Sequence, residues 1–239
     1  MTGREGQQTD PGSAAASWGG DGFFFTEAAR GGSLVWRTGD SKLEGDSLGP
    51  VRHAHDGAGE YYFMFSGSAH VESGGEELVL EEGQLAYIPP DAPHNFLGPA
   101  SDLDACLFCV VAPNFAQNKW RVSDFHPGSE SLRMKVAAPF QDEDLPGDDK
   151  LAAHGIQLAG DEPPIELAPD GFDVVYLVVE GAANLSLANG LRGPIAAGTF
   201  IHLRDGTSHE LRPSGPSKVL RVDCRFQAWQ GVPLGPDAS

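Results

Sequence analysis

The sequence predicts an all-β protein that carries the same unit twice, and three observations support this. Short runs of Val, Ile, Leu, Phe and Tyr are separated by Gly, Pro, Asp and Asn, which is the spacing of strands and tight turns. Aligning "EYYFMFSG" with "VVYLVVEG" pairs Gly67 with Gly181 (181 − 67 = 114), and further on Gly83 pairs with Gly198 and His94 with His209, both at 115. Cys109 and Cys224 also pair at 115. The 239 residues exceed one small β domain of about a hundred and suit two.

Residues 1–20 contain no apolar core of signal-peptide length and are expected to be a disordered tail. The first unit spans 21–112 and opens with "GGSLVWRTGD" as an early strand. Arg37 there is either a carboxylate contact or a solvated edge residue. In "VRHAHDGAGEYYFMFSG" strand alternation sends His53 and His55 to one face. Asp56 to Gly59 form a turn, and Glu60 opens the next strand on the same side. Gly83 and the Pro89-Pro90-Asp91 turn then bring a third segment past, ending in His94. Cys106 and Cys109 in "DACLFCVV" face opposite sides of a strand and read as small apolar residues. Residues 113–161, with the acidic "FQDEDLPGDDK", are expected to be a linker and packing segment, in which "SLRMKVAAPF" adds a strand to one unit. The second unit takes 162–230, and 231–239 form a loose tail.

His53, His55, Glu60 and His94 together read as a metal site. Three imidazoles and one carboxylate suit a borderline divalent ion: iron, manganese, nickel, copper or zinc. Four protein ligands on an ion that prefers six leave two positions for water, dioxygen or a chelating substrate. Tyr62 shares the inward face of Glu60 and is a candidate acid, base or hydrogen-bond donor. Its repeat partner Tyr176 persists without the ligands, which equally suits a packing role. Met64 and Phe96, in phase with Glu60 and His94, are expected to form an apolar wall that contacts substrate.

These residues resemble the cupin superfamily. Its first motif, His-x-His, three or four residues, Glu, six residues, Gly, is matched by His53, His55, Glu60 and Gly67. Its second is matched by Gly83, Pro89 and His94. Ser47 and Asp91 stand where the motifs have Gly, and Gly98 stands where the second ends in Asn. None of these is a ligand, so the departures bear on loop geometry. The resemblance covers roughly residues 49 to 98. It implies a jelly-roll β-barrel and, with the repeat, a bicupin of two tandem barrels. It also implies a non-haem iron-type dioxygenase acting on a small oxygen-rich or aromatic metabolite. The alternatives are a metal-dependent isomerase, epimerase or lyase using manganese, nickel or zinc, and a ligand-binding cupin without turnover. A tyrosine placed like Tyr62 serves some cupin lyases, and a homodimer through sheet edges is a family-based expectation.

In the second unit the positions of His53, His55 and Glu60 fall on Leu167, Pro169 and Val174, so only His209 survives of the four ligands. Asp173, one residue out of phase, points to the other face. The second barrel is therefore expected to be degenerate: structural, or a lid or dimer surface. A net charge of −18 disfavours nucleic acid and an anionic membrane surface as partners. No stretch approaches the roughly twenty apolar residues of a membrane span. Three cysteines without framework spacing suggest a reducing cytoplasm. The expected partner is a small-molecule substrate.

Overall fold

The structure is a computed structural model. It describes residues 16–19, 22–25 and 32–37 as backbone strands, together with residues 54, 55, 57–100, 105–112, 133–188, 190 and 192–225. Among the described residues there is no helix, and none is therefore long and apolar enough to cross a membrane.

The first barrel packs a six-stranded sheet on a three-stranded one. The large sheet holds β2 (Gly22–Phe25), β3 (Gly32–Arg37), β4 (Gly59–Ser66), β7 (Leu85–Ile88), β9 (Cys106–Ala112) and β10 (Lys135–Ala137), in the order β10-β7-β4-β9-β3-β2. The small sheet is made of β5 (Ser68–Ser73), β6 (Glu76–Glu81) and β8 (His94–Pro99), in the order β6-β5-β8. The second barrel repeats this with β1 (Ala16–Gly19), β11 (Leu151–Leu158), β13 (Phe172–Glu180), β16 (Phe200–Leu203) and β18 (Ser217–Arg225), ordered β1-β16-β13-β18-β11. Against them lie β12 (Ile165–Leu167), β14 (Ala182–Leu187), β15 (Arg192–Ala196) and β17 (His209–Pro213), ordered β12-β17-β14-β15.

Burial follows sequence pattern. The continuous apolar runs of β4 and β13 are covered on both faces. Tyr62 and Met64 enter the first barrel's interior, while Tyr61 and Phe63 enter a cluster shared with Val175, Leu177, Phe200, Leu220 and Val222 of the second. The two barrels are thus joined back to back through one apolar layer. In β5 and β14 alternation is strict, as befits sheets with one solvated face. Matching details confirm the duplication. The register slips between Met64 and Ser66 in β4 and between Val178 and Glu180 in β13. The Gly83 and Gly198 N–H groups donate to Met64 O and Val178 O at 2.8 and 2.9 Å.

Three expectations need correction. Residues 1–20 are not wholly a tail, because Ala16–Gly19 pairs antiparallel with β16 of the second barrel. β10, which precedes the second barrel in the chain, reciprocally pairs with β7 of the first. Each barrel thus lends a strand to the other's sheet edge, capping a row of otherwise unpaired backbone groups. The 113–161 segment is not only a linker: it contributes β10 to the first barrel, as expected of "SLRMKVAAPF", but β11 is an integral strand of the second, paired with β18 from Leu151 to Leu158. Third, Cys109 and Cys224 are not equivalent. Tyr62 lies opposite Cys109, whereas Tyr176 lies opposite Arg221, an offset of 221 − 109 = 112. The connection leading into the last strand is three residues shorter in the second copy (115 − 112 = 3), which slides the cysteine match out of register.

Candidate metal centre

His55, Glu60 and His94 converge inside the first barrel, with donor atoms all within 4.8 Å of one another. His53 lies outside the described residues. His55 sits in the segment entering β4, and its carbonyl accepts the Asp91 N–H at 3.0 Å. Asp91, at φ 64°, takes the left-handed conformation of the glycine it replaces, and its Oδ1 accepts the Gly57 N–H at 3.0 Å. Asp tolerates that backbone region better than most residues, so the motif departure is accommodated and adds a tie between the segments that carry His55 and His94. Glu60, second residue of β4, is held between Ile88 and Val111. His94 opens β8, and its Nδ1–H donates to Ala92 O at 2.8 Å.

That last bond fixes the ring's orientation and turns His94 Nε2 towards Glu60. Glu60 Oε2 lies 2.8 Å from His94 Nε2 and 3.0 Å from His55 Nε2. A lone pair and a carboxylate oxygen at that separation repel unless a proton or a cation lies with them. All three residues are at most 3% exposed. Burial pushes the Glu60 carboxyl up, but His55 and then His94 outweigh it and hold the group well below the usual carboxylate range. An ionised carboxylate with two buried imidazoles is a donor set that fits a divalent transition metal.

The other Glu60 oxygen is also engaged: the Cys109 thiol donates to Oε1 at 2.7 Å. Burial, then the Glu60 charge, keep that thiol protonated, well above its ordinary range. Cys109 is therefore more than the small apolar residue that its sequence context suggests. The signal that would have found it is parity, since Cys109 and Leu107 face the barrel interior while Cys106 and Phe108 face the shared layer. Tyr62 is buried with its ring edge-on to His94 and Phe96, at 6.1 and 6.5 Å between centroids. Burial, then Glu60 and Cys109, push its phenol well above the normal range, so it keeps its proton. Met64 is fully buried in the barrel interior, and Phe96 packs at the edge of the same cluster.

The second barrel places Val174 where Glu60 stands, opposite Leu203 and Asp223. His209 keeps the orientation of His94: its Nδ1–H donates to Thr207 O at 2.8 Å, while Tyr176 donates to its Nε2 at 2.9 Å. Asp173 does point to the opposite face, pairing with His202 at 2.8 Å.

The Cupin domain family model matches residues 41–111. Among curated protein sequences there is no match. Among solved structures, the fold is similar to protein Ylba from E. coli, with TM-score 0.59 and 13% identity over 89% of this chain and 92% of that one. It is similar to salicylate 1,2-dioxygenase from Pseudoaminobacter salicylatoxidans, solved as a mutant in complex with gentisate, with TM-score 0.60 and 13% identity over 82% of this chain and 69% of that one. It is also similar to a cupin 2 conserved barrel domain protein from Leptotrichia buccalis, with TM-score 0.54 and 10% identity over 94% and 92%. At such identities the likeness speaks for the fold alone. The matched Cupin domain thus lies within the first barrel, and the chain has the fold of two barrels of one plan, with Val174 in the second at the place of Glu60.

Proposed function

We propose that the first barrel is a metal-dependent enzyme site holding one divalent transition metal, iron first, through His55, Glu60, His94 and His53, and that it acts as a dioxygenase on a small oxygen-rich or aromatic metabolite. The observation that carries the metal assignment is the single Glu60 oxygen facing two imidazole nitrogens, all three side chains being buried. Iron would supply one-electron chemistry that couples dioxygen to an organic substrate. The likeness of fold to a salicylate dioxygenase supports the reaction class by analogy. In this reading Phe96 and Met64 give the substrate an apolar wall and exclude water, and Tyr62 donates a hydrogen bond to a substrate oxygen.

One observation favours a second reading. Tyr62 keeps its proton beside the cluster, and a fixed phenol next to a Lewis-acidic ion also suits a non-redox isomerase, epimerase or lyase using manganese, nickel or zinc.

Elemental analysis of protein purified without a metal-affinity tag, wild type beside His94→Ala, tests the site. Near-stoichiometric iron in the wild type and its loss in the variant are expected, followed by oxygen uptake with catechols or diketones. Manganese, nickel or zinc with anaerobic turnover favours the second reading. Equal metal in both proteins overturns the ligand assignment.

A further inference from the structure

The second barrel has lost the metal ligands but not its polar interior. Tyr176 and Arg221 are cross-strand partners at the places of Tyr62 and Cys109, and Asp223 stands opposite Val174, the place of Glu60. His209 stands at the place of His94, so the four groups occupy the region where the first barrel carries its His/Glu cluster. Arg221 meets Asp223 through two bonds on one edge of the guanidinium, Nε to Oδ1 at 2.7 Å and Nη2 to Oδ2 at 2.6 Å. Asp223 also receives His154 Nε2 at 3.2 Å. Tyr176 is fully buried, and His209 and Asp223 are 4% exposed each. The Arg221 side chain is 19% exposed and that of His154 46%, so exposure rises along the chain of groups from Tyr176 and His209 to His154.

A fold does not need this. Replacing a buried ion pair by apolar residues of similar volume is commonly neutral or stabilising, and the surrounding core is mostly Val, Leu and Ile. The arrangement does have a use. Asp223 fixes the guanidinium by its Nε/Nη2 edge and leaves Nη1 with no protein acceptor among the described residues. The end of an Arg side chain presented in this way matches the two oxygens of a carboxylate. We propose that the second barrel is a metal-free binding site for a small carboxylate, received by the outer end of Arg221 above the Tyr176–His209 pair, with His154 at the entrance. The site is independent of the metal assignment in the first barrel.

The test uses the full chain carrying His94→Ala and treated with chelator, so that no probe binds through a first-barrel metal. Lactate, malonate and benzoate are titrated by calorimetry at low salt. At least one is expected to bind saturably, to shift the His154 and His209 ring resonances, and to lose about tenfold or more in affinity when Arg221→Gln is added. Arg221→Lys, which keeps the charge and loses the fork, gives the same loss should the Gln variant not fold. The proposal is overturned if none of the three probes binds saturably, if binding leaves the His154 and His209 resonances unmoved, or if the Arg221 variants bind as tightly as their parent.

Discussion

Glu60 shows how much one side chain is asked to do. Its two oxygens are divided, with Oε2 turned to His55 and His94 and Oε1 occupied by the Cys109 thiol. The thiol therefore acts through the carboxylate, fixing its rotation so that a single oxygen faces the imidazoles. Outer-shell partners of this kind typically contribute about 10- to 100-fold in metal affinity. Cys109→Ala is expected to weaken metal binding about tenfold, measured by competition with a chromophoric chelator, while Cys109→Ser, which retains a donor, recovers most of the loss. Affinity unchanged in Cys109→Ala would show that the thiol is only filler. The sequence announced His55, Glu60 and His94 because they obey the spacing of a metal motif. It did not announce Cys109 or the compensating role of Asp91. Those depend on which residue of a neighbouring strand comes opposite, and a strand's own pattern leaves that register open.

At the scale of elements, the hairpins and framework glycines were legible, but the strands exchanged between barrels were not. β1 and β10 have only four and three residues, too few for a pattern, and β11 reads "LAAHGIQL", whose small residues mute the alternation. The glycines allow a sharper comparison. Gly83 and Gly181 both have left-handed φ, but a Cβ on Gly83 meets open space while one on Gly181 would collide with Pro216 O. Gly83→Ala is expected to cost only the backbone strain, about 1–2 kcal/mol, and Gly181→Ala clearly more, by urea denaturation. Equal costs would mean that the Pro216 loop yields. The second barrel's His209 also makes a pH prediction. Burial, opposed by its bond to Thr207 and aided by Arg221, lowers its pKa, so the folded state prefers it neutral. The unfolded chain takes up this proton first, near pH 6.5, so the His209 contribution is fully present above that pH. It is lost as pH falls towards the lower folded value. His209→Gln should flatten the difference in stability between about pH 7.5 and about pH 5.5 relative to wild type, and an unchanged difference would place the acid sensitivity elsewhere.

At the scale of the molecule, the layer between the barrels decides whether they are two domains or one. Tyr61, Phe63 and Phe108 from the first barrel and Leu177, Phe200 and Val222 from the second form a single buried cluster, with the Phe108 and Phe200 rings 5.7 Å apart. The segment joining them is pinned on the same side: Tyr61 donates to Pro146 O at 2.5 Å and Tyr87 to Asp148 at 2.7 Å, while Asp148 Oδ1 accepts the N–H groups of Lys150 and Leu151 at 2.7 Å each. Separating the barrels would expose the outer faces of both large sheets and strand the β1 and β10 pairings, so neither barrel keeps its native surroundings alone. The second barrel thus supports the first through β4, whose Tyr61 and Phe63 face that layer while Glu60 and Tyr62 face the His/Glu cluster. Phe200→Ala, a change wholly within the second barrel, should cost about 3–5 kcal/mol and lower the melting of both barrels together. Calorimetry should give one transition, with amide exchange in β4 and β13 accelerated alike. Two separate transitions, with β4 protection untouched by Phe200→Ala, would show that the shared layer is contact without cooperativity.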